Sequence, residues 1–323
     1  MSKRRINQQQ LSRIKKKQSD FRDQLITGSD ESTHDGLIIK YFGRYTMVES
    51  ADGVRLKCSV RPNIDTLVAG DRIVWQKEGH HQGVVISRYP RESILGRPDK
   101  QGQLKPIAAN ISQILIVVAP KPDISWPLLD SYLVMTEFLK LQACIILNKV
   151  DLPCDSLQKQ LLQDYEKLGY RVLFTSFEDK KSYKMLQETL NNQTSVFVGQ
   201  SGVGKSSIIA RVLPLETNIQ TAPISVKTEL GCHTTSNSCL YHLPTGGSLI
   251  DSPGVREFGL WHMPAQEIAR GYIEFQPYLT QCKFRNCCHQ HTPGCAILSA
   301  VSKKEISKHR YENYVRISQQ FAT

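Results

Sequence analysis

The chain has 323 residues, room for two or three domains that each bury a core. Its longest wholly apolar run is only Ile114 to Ala119, which excludes a membrane-spanning helix, and without an apolar leader it is expected to stay in the cytoplasm. The formal charge of +11 sits at the two ends, eight Lys or Arg against one acid in residues 1 to 22 and seven against two in residues 282 to 323, which favours a polyanionic partner such as nucleic acid.

Residues 1–35 form a basic tail without sustained apolar periodicity and are expected to be disordered alone. In residues 36–90 the texture changes to short β-rich runs, Leu37 to Val48, Val54 to Val60, Arg72 to Trp75 and Val84 to Arg88. They are punctuated by Ala51-Asp52-Gly53, Ala69-Gly70-Asp71 and Glu78-Gly79-His80, the grammar of hairpins. This predicts an antiparallel β-barrel of the OB-fold kind that binds RNA. Residues 91–106, rich in Arg, Pro and Gly, read as a linker.

From residue 107 to 262 strands and helices alternate. Ile114 to Val118 and Cys144 to Leu147 read as buried parallel strands, Arg171 to Phe174 and Ser195 to Val198 as two more. Amphipathic helices are predicted near Trp126 to Leu139, Leu157 to Leu168 and Ser182 to Leu190. The sum is a doubly wound α/β sheet, which binds ligands beyond the carboxyl ends of its strands. Residues 263–323 turn to Cys, His and base and then to a helical tail.

Directly after Ser195 to Val198 comes Gly199-Gln200-Ser201-Gly202-Val203-Gly204-Lys205-Ser206-Ser207, a complete GxxxxGK[ST] phosphate loop. Its glycines let successive N–H groups face phosphate oxygens, Lys205 reaches the β and γ phosphates, and the Ser206 hydroxyl binds Mg²⁺. Asn148-Lys149-Val150-Asp151 follows the strand Cys144 to Leu147 and resembles the NKxD of GTPases, in which the aspartate accepts from the N1 and N2 donors of guanine. Thr175-Ser176 ends the next strand where a base-supporting SA-type motif would stand, with Phe177 in the place of the usual alanine. Asp251-Ser252-Pro253-Gly254 resembles DxxG, in which Asp251 holds Mg²⁺ through water and Gly254 offers its N–H to the γ-phosphate. Between the two lies Gly231-Cys232-His233-Thr234-Thr235, with Thr234 or Thr235 placed to complete the Mg²⁺ shell.

Ordinary GTPases run phosphate loop, switch I, DxxG, NKxD, SA-type. Here the last two precede the first, a circular permutation that sends the chain from its switch region straight into the C-terminal domain. That domain holds Cys282, Cys287, Cys288, His289, His291 and Cys295, six donors for the four places around a tetrahedral Zn²⁺. Tyr272, Phe275, Tyr278 and Phe284, with Lys283 and Arg285, suit either RNA contact or packing around the metal.

The order of barrel, permuted GTPase and Cys/His domain, with Gly231 to Thr235, Asp251 to Trp261 and the cysteine cluster, is similar to the ribosome small subunit-dependent GTPase A family over about residues 36–300. The resemblance implies GTP hydrolysis to GDP by a monomer, stimulated by the small ribosomal subunit, in that subunit's late maturation, with the GTP state governing rRNA binding. It also implies that Cys282, Cys287, His289 and Cys295 hold one structural zinc. Cys232 departs from the usual Arg or Lys, Ser252 from Thr, and Glu178 to Ser182 replaces a glycine-containing loop. Val255 stands where many GTPases have the glutamine that orients water, and an isopropyl group cannot do so; His233 is the group both chemistry and resemblance put forward as catalytic.

Overall fold

The computed structural model describes residues 33–79, 82–98, 104–213, 238–252, 263 and 265–321. Five strands, β1 (Thr33–Tyr41), β2 (Tyr45–Ser50), β3 (Arg55–Val60), β4 (Arg72–Glu78) and β5 (Gln82–Arg88), close into a barrel in the order β1-β2-β3-β5-β4 with β4 returning to β1. The sequence predicted an OB barrel, and this is the strand order of that fold, with β3 and β5 paired in parallel. In β3 the alternation is clean, Leu56 and Cys58 inward and Arg55 and Lys57 outward, so one register satisfies both core and solvent. The β-rich run Leu37 to Val48 is two strands, not one, because Gly43 takes φ 88° and Phe42 N–H closes the turn on Tyr45 O at 2.9 Å.

Residues 91–106, read from sequence as a linker, hold most of a hairpin of β6 (Ile94–Pro98) and β7 (Leu104–Ala109). Its Pro and Gly look like linker punctuation, yet Leu95 and Ala108 are wholly buried in the same core as the central sheet. Arg91 anchors the hairpin to the barrel through both oxygens of buried Asp71, at 2.7 and 2.8 Å.

The central sheet adds β8 (Gln113–Val118), β9 (Gln142–Asn148), β10 (Arg171–Thr175), β11 (Thr194–Val198), β12 (Cys239–His242) and β13 (Ser248–Asp251), in the order β10-β9-β8-β11-β13-β12. All are parallel except β12. Every residue of β8 is buried because helices cover both faces. Ile114, Ile116 and Val118 meet Leu129, Tyr132 and Leu133 of α1 (Trp126–Leu139) and Leu161 of α2 (Asp155–Asp164). Leu115 and Val117 meet Leu186 and Leu190 of α3 (Lys180–Leu190) and Ile208, Ile209 and Val212 of α4 (Lys205–Val212). Each fully buried aliphatic side chain there contributes about 2 kcal/mol by leaving water. Asp179 caps α3 by accepting from Lys181 N at 2.8 Å and Ser182 N at 3.2 Å, which starts that helix two residues before the predicted Ser182. Barrel and sheet are continuous through the pairing of Lys40 with Cys239.

The C-terminal module comprises α5 (Ala265–Arg270), a 3₁₀ turn at Ile273–Phe275, α6 (Gln276–Leu279), α7 (Ala296–Ser302) and α8 (Lys308–Phe321). Tyr272, Phe275 and Tyr314 are fully buried in its core, with stacked and edge-on rings 4.8 to 5.7 Å apart. Of the aromatics considered for RNA contact, Tyr272 and Phe275 are therefore packing residues, while Phe284 is 44% exposed. Among the described residues no helix is long and apolar enough to cross a membrane.

Candidate functional site

Parallel pairing brings the carboxyl ends of β9, β10, β11 and β13 to one edge of the sheet, and Asn148 to Asp151, Thr175-Ser176, the phosphate loop and Asp251 occupy that edge. After β11 the loop Gly199 to Gly204 runs with positive φ at Gly199, Gly202 and Gly204 (133°, 82° and 99°). A Cβ at Gly199 would come within 2.2 Å of Val117 O, so only glycine lets the loop pass β8 so closely. Val203 is buried and pins the loop from below, and Ser201 is exposed at its tip. Lys205 opens α4 and is 7% exposed, its Nζ donating to Gly199 O at 2.7 Å and to Gln200 O. Its ammonium is thus held against the loop's own carbonyls where α4 begins, and the free N–H groups of a helix N-terminus are the kind that bind anions. Ser206 and Ser207 follow, partly exposed, on the first turn of α4.

Asn148 ends β9 almost fully buried and fastens three segments together. Its Nδ2 donates to Val203 O at 2.9 Å, and its Oδ1 accepts from Thr175 Oγ1 at 3.1 Å. Lys149 takes a left-handed φ of 62° and reaches over the phosphate loop, Nζ donating to Gly202 O at 2.6 Å and Lys121 O at 2.8 Å. Asp151 is exposed, and Ser176 Oγ donates to its Oδ1 at 2.8 Å, leaving the other oxygen to accept from outside. The residues Asn148, Lys149, Asp151, Thr175 and Ser176 therefore sit as one unit joined to Gly199–Ser207, although Asn148 and Val203 are 55 residues apart in the chain. A carboxylate and a glycine loop with a lysine ammonium thus share one edge of the sheet.

Asp251 closes β13 at the same sheet edge, opposite Cys239 of β12. His233, Thr234, Thr235 and Gly254 lie outside the described residues. One wall carries no sequence motif. Between β8 and α1, Gln200 Oε1 accepts from Ser125 N at 2.9 Å, Gln200 Nε2 donates to Asp123 O at 3.2 Å, and Pro122 lies 3.5 Å from where a Gly202 Cβ would be. The two Gln200 bonds use only the backbone of Asp123 and Ser125, so the side chains of those residues give no sign of them.

In the C-terminal module, Cys282, Cys287, His289 and Cys295 present donor atoms that all lie within 4.8 Å of one another. His289 Nδ1 is 3.5 Å from Cys282 Sγ and 3.6 Å from Cys295 Sγ. Tetrahedral zinc with ordinary Zn–S and Zn–N bonds requires a sulfur-to-nitrogen separation of about 3.6 Å, so the cluster fits that ion. His289 reaches it with φ 59°, and Tyr311 and Tyr314 of α8 brace the loop by donating to His289 O at 3.0 Å and Cys288 O at 2.8 Å. Cys288 and His291 are exposed and outside the cluster. Metal analysis of purified variants is expected to find one zinc per chain in Cys288→Ala and His291→Ala and none retained in Cys287→Ala; zinc lost from Cys288→Ala instead would reassign the ligands.

Residues 88–261 match the model of the RsgA GTPase family. The chain is 44% identical to the small ribosomal subunit biogenesis GTPase RsgA of Hahella chejuensis, over 98% of this chain and 96% of the relative. It is 43% identical to the small ribosomal subunit biogenesis GTPase RsgA 1 of Vibrio parahaemolyticus, over 97% and 91%. Among solved structures, YjeQ from Thermotoga maritima superposes with a TM-score of 0.74 at 28% identity, covering 90% of this chain and 99% of that one. YloQ, described as a circularly permuted GTPase, gives 0.72 at 27%, covering 91% and 96%.

Proposed function

Because this chain belongs to the RsgA GTPase family, a family of GTP-hydrolysing enzymes, we propose that it acts in late maturation of the small ribosomal subunit. In this reading the subunit stimulates hydrolysis, and the GTP state governs binding to and release from rRNA. What supports it is the Asn148 bridge between the phosphate loop and Thr175, whose neighbour Ser176 donates to the Asp151 carboxylate. The basic tail at residues 1–22 and the basic C-terminal region supply the electrostatic attraction for rRNA.

Asp151 accepts from guanine N1–H and N2–H, with Ser176 fixing the carboxylate's rotation. The Gly199–Gly204 amides and Lys205 receive the phosphates, and Ser207 continues the anion-binding turn. Ser206, Asp251 and one of Thr234 or Thr235 are the oxygen donors that would hold Mg²⁺, which supplies charge neutralisation across the β and γ phosphates. Gly254 N–H donates to the γ-phosphate and so reports its loss to the segment leading into the zinc module. With Val255 beside it, water must be oriented from elsewhere, and the His233 imidazole does this by accepting its proton near neutral pH. Cys282, Cys287, His289 and Cys295 would hold zinc for folding, remote in role from the hydrolysis.

The test is turnover and co-sedimentation with purified small subunits, under GDP and under a non-hydrolysable GTP analogue. Stimulated turnover and tighter binding in the triphosphate state are expected, and His233→Ala should return stimulated turnover toward the unstimulated rate while GTP affinity persists. A chain that binds subunits under GTP without faster turnover would be a nucleotide-gated RNA scaffold instead.

A further inference from the structure

One side chain that belongs to no motif holds the base-side loop in place. Arg211 stands in the last turn of α4, the helix that Lys205 opens. Its Nη1 donates to Phe177 O at 2.6 Å. Its guanidinium carbon lies 3.6 Å from the centre of the Tyr183 ring and 5.6 Å from that of Phe177. The two rings are 6.1 Å apart, tilted by 59°. Phe177 directly follows Thr175-Ser176, and Tyr183 is buried on α3, so one cation joins the far end of the phosphate helix to the loop and to the helix after it.

We propose that Arg211 is a positioning residue for guanine recognition: by fixing the Ser176-Phe177 backbone against α4 it keeps Ser176 aimed at Asp151. This rests on the reading of Asp151 as the base-binding group. Phe177 is 49% exposed, so burial alone does not hold this loop. Beyond it Glu178 to Lys181 is charged and exposed, and its fixed points are the Ser176 hydroxyl, which accepts from Glu178 N at 3.2 Å, and the Asp179 cap. Asn148 and Lys149 together tie the base side to the phosphate loop near the start of α4, and Arg211 adds a second tie near its end. Ties at both ends define an orientation where a tie at one end defines only a pivot. A loop already in place does not spend binding free energy on ordering, and the planar guanidinium can stack by its face while donating from its edge. Lysine can donate to Phe177 O but cannot stack in that way.

The experiment measures binding of fluorescent GDP to the full chain with Mg²⁺, with inorganic pyrophosphate as a competitor that uses the phosphate loop alone. Arg211→Ala is expected to weaken GDP about tenfold, the loss of one hydrogen bond to a charged donor. Pyrophosphate should compete as it does with the unaltered protein, and Arg211→Lys should restore part of the GDP affinity. Equal weakening of GDP and pyrophosphate would mean that Arg211 merely supports α4, and unchanged GDP affinity would mean that the loop needs no second tie; either result overturns the proposal. Asp151→Asn, measured in parallel, separates the two levels. If it leaves guanine preference intact, the reading of the site fails; if it shifts preference while Arg211→Ala changes nothing, only the role of Arg211 fails.

Discussion

Arg310→Ala is expected to cost about 3–5 kcal/mol of folding stability and to loosen the zinc module from the GTPase sheet. Arg310 is the largest fully buried side chain among the described residues. It pairs with buried Asp130 of α1 and, at 2.8 and 3.2 Å, with both oxygens of Glu274. Its guanidinium lies 4.9 Å from the ring centre of Tyr165 and 4.6 Å from that of Tyr272. Asp130 also accepts from Tyr165 OH and Asn313 Nδ2, each at 2.9 Å. Alanine would leave two carboxylates facing each other away from water, and that stranding, more than the lost attraction, sets the size of the effect. Because Tyr311 and Tyr314 of the same helix brace the metal loop, α8 carries both attachments. Urea unfolding followed by intrinsic fluorescence gives the loss directly. A change below about 1 kcal/mol, the range of exposed ion pairs, would show that water reaches the cluster.

For Asp151→Asn the expected result is an exchange of bases. A carboxylate accepts from both guanine donors, whereas an amide offers one acceptor and one donor, the pattern that xanthine complements. Guanosine diphosphate should weaken on the order of 100-fold, about 3 kcal/mol for hydrogen bonds to a charged acceptor, and xanthosine diphosphate should become the better ligand. Ser176 Oγ, now donating to Asp151 Oδ1 at 2.8 Å, can donate equally to the amide oxygen and so preserves the geometry. Competition binding with the two diphosphates decides it; an undiminished preference for guanine would remove Asp151 from the base pocket.

Both effects depend on contacts that differ in how far they lie apart along the chain, and that separation governs what could be read without a structure. The phosphate loop was legible because strand, glycines, lysine and helix are contiguous, and a curl of nine residues carries its own geometry. The barrel was legible in short β-rich runs separated by hairpin punctuation, and the doubly wound sheet in buried runs such as β8, patterns that burial on one or both faces imposes locally. Punctuation misled where tertiary burial overrode it. Pro and Gly between Arg91 and Pro106 spelled a linker, while Leu95 and Ala108 are buried against the central sheet.

The amino-acid sequence by itself determined the element types, the permuted order of the motifs and a six-donor Cys/His cluster whose ligand choice it left open without a family resemblance. Tertiary structure alone decided which four donors converge, that Tyr272 and Phe275 face a core, and that Asn148 locks Val203 to Thr175. It likewise decided that Arg310 meets Asp130 across 180 residues and that Arg211 meets Phe177 across 34. The reason is physical: a lone arginine in a helix has the same local propensity whether it faces water or a buried carboxylate, and only the packed chain supplies the partner.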